Sequence, residues 1–367
     1  MRFAPTFLPR SGINAIAIAL VSCTITVAQR APSGQTSPPP SPAAAGENPQ
    51  SVPPRSADPS TSAPRQEPNQ QQTTPDQQPQ PIAPDPGDDS PGRFVFKKQV
   101  QEVVLHATVV DEAGHLVTSL DRDAFTVYQN GAPEALTSFR REDVPVAMGI
   151  VIDNSGSMRD KREKVNEAVL NLIRASNPQD EVFVVNFGQN SYLDQDFTSD
   201  IGLLQTALHQ VSTRGSTALY DAVVASAVHL RNNPRLDKKV LLVITDGQDN
   251  MSRETLQEAI GQLQLNKGPT VYAIGLTDGG LTTNAREALQ NLASTTGGVA
   301  FFPQSLDEVN DITRTVAHDL RSQYTLAYKP GSPKIGYQAI RVEARDPGHR
   351  RLVVRTRTGY YPGDTVR

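Results

Sequence analysis

Residues 146–160 read VAMGIVIDNSGSMRD, and this stretch decides the fold. Residues 146–152 form an apolar run of the length and character of a strand covered on both faces. The run stops at Asp153. Ser155 and Ser157 follow at alternate positions, and a helix-like stretch begins at 160. A buried strand thus delivers one carboxylate and two hydroxyls to its own C-terminal end, just before a helix. In a doubly wound sheet that is the place where ligands sit.

The same alternation continues downstream. Short apolar runs EVFVVNF, KKVLLVIT, TVYAIGL and VAFFP are separated by helix-like stretches at 160–175, 201–211, 219–231, 252–265, 284–294 and 306–320. Strand and helix in repeated alternation predict an α/β fold with a mostly parallel, doubly wound sheet over residues 143–320. Ser305, with Glu308 three positions on, has the pattern of a capping box.

The flanks are different. Before the alternation, QEVVLHATVVDEAGHLV and AFTVYQNGAPEALTSF read as β, and Asn130-Gly131 is the pair preferred in a two-residue hairpin turn. After it, QYTLAYKP, YQAIRVEA and RRLVVRTR are separated by turn compositions. Residues 93–142 and 321–367 are each too short to make a core alone. They are therefore expected to complete one small β-sandwich, with the α/β unit inserted between its halves.

The N-terminus reads as an address. Arg2 and Arg10 precede the apolar INAIAIALVSCTITVA, which is shorter than the roughly 20 residues of a membrane-spanning helix. Two readings stand side by side: a signal peptide of residues 1–28 cleaved after Ala28, and a lipobox, LVSC, that would make Cys23 a lipidated first residue. Either places the folded part outside the cytoplasm, in a bacterial envelope or secreted. Residues 29–92 are rich in Pro, Gln and Ser and almost free of large apolar residues, the composition of a disordered spacer. At ~3.1 Å per residue such a tract reaches about 200 Å.

Composition excludes several classes. The chain has 367 residues, 35 basic and 39 acidic, for a net charge of -4, so nothing points to nucleic acid. Its single Cys rules out an internal disulfide and a cysteine zinc site. The six histidines are scattered, at His106, His115, His209, His229, His318 and His349. No His-Glu-x-x-His pair, Gly-x-Ser-x-Gly elbow or phosphate loop occurs.

Two further oxygen-bearing groups recur at places equivalent to the end of the first strand. Thr217, in RGSTALYDA, precedes a helix, and Asp246, in VLLVITDGQDN, ends a buried strand. With Asp153, Ser155 and Ser157 they form a hard-oxygen set of two carboxylates and three hydroxyls. Such a set suits Mg²⁺, with Mn²⁺ or Ca²⁺ as alternatives, and suits zinc or copper poorly. Asp249 reads as a solvated loop acid, with a supporting place behind the metal ligands as the alternative, and Asp221 reads as structural. Each piece alone has an ordinary explanation: Asp-x-Ser-x-Ser is also a helix cap, and Asp-Gly is also a turn.

Taken together, DNSGSM, the Thr of GSTALYD and the Asp of ITDGQD resemble the three parts of the metal-ion-dependent adhesion site of von Willebrand factor type A domains. The resemblance covers about residues 143–320. It implies that Ser155, Ser157 and Thr217 ligate metal directly, while Asp153 and Asp246 act mainly through waters. The flanks resemble those of bacterial von Willebrand factor-related proteins typical of Acidobacteria.

The function expected is a metal-dependent protein-binding module, for adhesion or complex assembly, in which the metal takes an Asp or Glu carboxylate of a protein partner. A membrane is involved only through an N-terminal lipid. Specificity would come from the loops at 188–196, 212–216 and 247–253, with Tyr192 as aromatic anchor. A secreted hydrolase and a metal-free envelope scaffold are the competing readings.

Overall fold

The computed structural model describes residues 102–363 apart from 142, 210–214, 234, 277–280, 332–334, 347 and 349–350. The expected signal peptide, Cys23 and the 29–92 spacer lie outside the described residues, as does much of the 212–216 loop.

The centre of the molecule is a six-stranded sheet. Its strands are β5 (Val146–Asp153), β6 (Glu181–Phe187), β7 (Ser191–Thr198), β8 (Lys238–Thr245), β9 (Thr270–Gly275) and β10 (Ala300–Phe301), in the order β10-β9-β8-β5-β6-β7. All neighbours are parallel except β7, which runs antiparallel to β6 at one edge. Helices α1 (Arg162–Ala175), α2 (Ile201–His209) and α6 (Glu308–Arg321) cover one face; α3 (Leu219–Asn232), α4 (Leu256–Leu263) and α5 (Thr283–Thr296) cover the other. The fold is therefore α/β, doubly wound and mostly parallel.

The side-chain period of a strand explains how one sequence serves both faces. Met148, Ile150 and Ile152 of β5 join the cluster under α1 and α6, while Ala147 and Val151 join the cluster under α3 and α5. The same split divides Val240, Leu242 and Ile244 from Leu241 and Val243 in β8. Gly149 has a specific reason. A Cβ there would collide with the Phe183 ring, so only glycine lets that ring lie across the central strand.

The flanking segments form two four-stranded sheets. Here β1 (Val103–Val110), β2 (Phe125–Gln129), β3 (Ala132–Glu134) and β4 (Leu136–Arg140) precede the α/β unit, and β11 (Tyr324–Tyr328), β12 (Gln338–Ala344), β13 (Val353–Arg355) and β14 (Gly359–Tyr360) follow it. The orders are β13-β1-β11-β4 and β14-β12-β2-β3, so each sheet draws strands from both flanks. Their inner faces share one apolar cluster, including Leu105, Val127, Leu326, Tyr328 and Val342. The buried Tyr324 hydroxyl joins the flanks directly: it accepts from Leu120 N–H at 3.0 Å and donates to the Val117 carbonyl at 2.8 Å. Asn130 and Gly131 both take positive φ, 52° and 83°, in the turn between β2 and β3.

Three local expectations are corrected. Residues 188–196 are not simply a loop: most of them belong to β7. That strand lies at a sheet edge and is mostly exposed, so it carries no apolar run to announce it. No capping box forms at Ser305, where the chain turns through its backbone, the Glu308 N–H donating to the Ser305 carbonyl. The box forms instead at Thr255 and Glu258, which delays the start of α4 to Leu256.

Candidate metal centre

Strand order fixes where this site sits. The chain runs from β5 to β6 on one side, then crosses to β8 on the other. The reversal leaves a crevice beyond the C-terminal ends of β5 and β8, the switch point of an open α/β sheet. Asp153 is the last residue of β5, and Asp246 follows Thr245, the last residue of β8.

Asp153 is held from several sides. Its Oδ1 accepts the Ser155 N–H at 2.8 Å, and its Oδ2 accepts the Thr245 hydroxyl at 2.5 Å. The side chain is fully buried, and burial pushes its carboxyl above the usual carboxylate range, against the lowering effect of those hydrogen bonds. Behind it, Arg162 donates to the Asp153 carbonyl at 3.3 Å and to Asn186 Oδ1, while Asn186 Nδ2 donates to Asp194 at 2.7 Å. Burial lowers the Arg162 guanidinium to about 10.

The hydroxyls converge. Ser155 Oγ and Ser157 Oγ are 3.1 Å apart, and Ser157 Oγ donates to Asp246 Oδ1 at 2.8 Å. Thr217 is pinned by three backbone-level ties: its N–H to Asn250 Oδ1 at 3.0 Å, its carbonyl to the Asn250 N–H at 3.0 Å, and the next N–H, of Ala218, to the Gly188 carbonyl at 2.7 Å. Gly247 leaves the space between the parts open. A Cβ there would lie 3.3 Å from Thr217 Oγ1 and 3.8 Å from Asp153 Oδ2. The result is a cleft of about 580 Å³ whose walls include Ser155, Ser157, Thr217 and Gly247. No histidine lines it.

Of the five residues singled out in the sequence, Ser155, Ser157 and Thr217 line the cleft, while Asp153 and Asp246 are buried behind it, joined to Ser155 and Ser157 by hydrogen bonds. Tyr192 does not line the cleft; it stands on β7, opposite Asn186, 61% exposed. Asp249 is more than a solvated acid. It accepts the Tyr220 N–H at the start of α3 and the Ser252 hydroxyl, and so ties two loops of the cleft together. Asp221 accepts the N–H groups of Arg253 and Glu254, a structural contact.

Sequence reasoning missed Lys161. Its ammonium donates to Asp246 Oδ2 at 2.6 Å. The signal is faint: Lys161 stands at the cap of α1, a short turn after Ser157, and nothing in that spacing names Asp246 as its partner. Thr245 and Asn250 were also missed, because a hydroxyl at a strand end and an amide in a loop carry no motif of their own.

Residues 148–248 match the family model of the von Willebrand factor type A domain. The chain carries a von Willebrand factor type A domain. Such domains are often metal-dependent and adhesive. The match includes neither flank. A search of curated protein sequences finds no match. Among solved structures the chain is similar to proximal thread matrix protein 1 of the mussel byssus, at 20% identity over 53% of this chain and 51% of that one, with a TM-score of 0.44. A second structure of that protein is described with a zinc-occupied MIDAS motif. A von Willebrand factor type A protein of Catenulispora acidiphila is similar at 15% identity, over 73% of this chain and 76% of that one, TM-score 0.43. So is the vWF domain of the type V pili tip protein Mfa5 of Porphyromonas gingivalis, at 12% identity, over 52% and 99%, TM-score 0.40. The chain spans about half the length of the first of these.

The donor set of this von Willebrand factor type A domain fits a hard divalent cation. Among the described residues, no three His, Cys, Asp or Glu side chains cluster as metal ligands, and hydroxyls are gathered at the crevice. Ser155, Ser157 and Thr217 supply them, with Asp153 and Asp246 behind. A desolvated carboxylate such as Asp153 gains from a nearby positive charge.

Proposed function

We propose that the chain is an extracytoplasmic, divalent-cation-dependent protein-binding module that takes an Asp or Glu carboxylate of a partner at the crevice between β5 and β8. The observation that carries this reading is the charge arrangement around Asp246. Two buried carboxylates stand behind the hydroxyls: Asp246 is paired with the Lys161 ammonium, while the Asp153 carboxylate accepts from a neutral N–H and a neutral hydroxyl. A divalent cation, Mg²⁺ first and Mn²⁺ or Ca²⁺ as alternatives, would be held by Ser155, Ser157 and Thr217 and would supply an electrophilic position for one more oxygen ligand. Held largely by neutral hydroxyls, the ion would keep much of its charge, and an acidic side chain is then the complementary partner.

The residues of the chain do the rest. Thr245 and the Ser155 N–H orient Asp153, Ser157 and Lys161 fix Asp246, and Asn250 sets the position of Thr217. A single carboxylate contact does not carry affinity alone, because association costs several kcal/mol before any surplus appears. The rim must add contacts, and Tyr192 offers a large amphipathic side chain already in solvent. The hydrolase reading finds less support. A serine nucleophile needs a free base, whereas the carboxylate beside Ser157 has both oxygens engaged and no imidazole lines the cleft.

The test is a metal titration followed by capture. Mg²⁺ or Mn²⁺ should raise the melting temperature of the chain by ligand linkage, and Asp153→Ala should abolish the rise. Capture of a partner from the envelope fraction should disappear in chelator. Identical melting in millimolar metal and in chelator would show that the site holds no ion.

A further inference from the structure

A second cleft, of about 310 Å³, lies at the opposite end of the central sheet. It opens where β8 and β9 begin and where β1 and the link between β13 and β14 pass beside them. Its charged and titratable lining is Glu102, His106, Asp237, Lys239, Lys267 and Arg357.

Two of the cations are poorly compensated. Lys239 is only 5% exposed, and its ammonium donates to the Leu236 carbonyl at 2.8 Å. Arg357 is partly buried, and its Nη2 donates to the carbonyls of Leu263 and Leu265, at 3.4 and 3.0 Å. Among the described residues neither forms a salt bridge. A charge withdrawn from water needs a counter-charge, and carbonyl dipoles supply only part of it. The positive field also reaches His106. Burial first, then Lys238, Arg357 and Lys239, push its imidazole down to about 3, so it stays neutral beside them. Lys267 adds a third cation at the exposed rim.

The acids offset these charges only in part: Asp237 favours the charged Lys239 ammonium against the effect of burial, and among the described residues no acid acts on Arg357. Glu102 accepts the Thr137 hydroxyl, and Asp237 is exposed. Carboxylates at the margin of such a cleft are good acceptors for ligand hydroxyls. Cations within and acceptors at the margin describe a ligand with an anionic head and a hydroxylated body. The volume lies at the small end of small-molecule sites.

We infer that this cleft binds a small sugar-like oxyanion, its phosphate or carboxylate head held by Lys239 and Arg357. The site is independent of the crevice at the other end of the sheet. It joins residues of the α/β unit to residues of both flanks, so an occupant would fasten the two parts together.

The experiment is a calorimetric titration of the full chain in chelator, at constant ionic strength, with glucose 6-phosphate, glucuronate and glucose, alongside thermal melting. At least one of the two anions should bind at one equivalent per chain and raise the melting temperature; glucose should do neither. Binding of one anion and not the other supports the site and assigns its head group. Lys267→Glu, a change at an exposed position, should weaken binding at least about tenfold without shifting the melting temperature of the free protein. Lys239→Met should abolish binding, and Asp153→Ala should leave it unchanged. Two outcomes overturn the inference: no saturable binding of either anion at millimolar concentration, or binding that survives Lys267→Glu at full strength.

Discussion

The Lys161 ammonium lies 2.6 Å from Asp246 Oδ2, with the two side chains 10% and 1% exposed, while the other oxygen of that carboxylate accepts from Ser157. The chain therefore places its own cation on a carboxylate that belongs to the crevice. Lys161 both stabilises Asp246 and competes with any ion that draws on it. Lys161→Met removes that cation. In chelator the variant should lose about 3–5 kcal/mol, the cost of breaking a buried pair from one side. Its affinity for Mg²⁺ should rise by at least about tenfold, and metal should restore most of the lost stability. Calorimetry and melting, each with and without metal, read both effects. Weaker metal binding in the variant would show that Lys161 positions Asp246 for the ion and does not compete with it.

Tyr192 and Thr217 should separate two contributions to recognition. Tyr192 is exposed, so Tyr192→Ala should change stability by no more than about 0.5 kcal/mol and leave metal affinity untouched, while partner capture weakens. Thr217→Ala removes a hydroxyl from the cleft and should weaken metal binding and capture together. If capture by Tyr192→Ala equals that of the wild type, the anchor lies elsewhere on the rim.

The two flanking sheets should depend on each other. β1 pairs with β11 on one edge and β13 on the other, and its Val103, Leu105, Ala107 and Val109 pack against Tyr324, Leu326 and Tyr328. Deleting residues 322–367 strips both partners from β1 and uncovers side chains worth about 1.5–3 kcal/mol each when large and buried. The truncated chain should bind a hydrophobic dye or aggregate. The two clusters of the α/β unit use only residues between Val146 and Leu320, so residues 143–320 alone should fold. A well-behaved, β-rich 93–321 fragment would contradict the shared core.

His106 predicts a pH dependence. Its folded-state pKa is lowered to about 3 by burial and by Lys238, Arg357 and Lys239. The unfolded chain takes up this proton near pH 6.5, and the folded one only near 3. Between those values the unfolded state binds more protons, so stability falls as pH falls, by at most about 1.4 kcal/mol per pH unit for this one group. Above pH 6.5 the group contributes no slope. His106→Gln should flatten the stability profile between pH 6 and 4 by up to that amount, measured by urea unfolding at each pH. An unchanged slope would assign the acid sensitivity to other groups.

The sequence by itself determined the class of fold and nominated the oxygen-bearing residues that gather at the crevice. Apolar runs such as VAMGIVID and KKVLLVIT have the length and character of strands covered on both faces, and the stretches between them have helical length and pattern. Asp153, Ser155, Ser157, Thr217 and Asp246 were legible because each sits at a strand end or helix start, and such places announce themselves where hydrophobicity stops. Edge strand β7 was not legible. It pairs on one side and buries little, so nothing in its sequence had to be apolar.

Only the tertiary structure decided which charges meet. Lys161 and Asp246 are 85 residues apart, and their contact exists because β5 and β8 are neighbours at the switch point. His106, Lys239 and Arg357 come from three distant segments and share a cleft only after the flanks close on the α/β unit. Local pattern records what a residue must do on its own element, through burial and backbone geometry. Electrostatic pairing depends on distance in space, and strand order sets that distance.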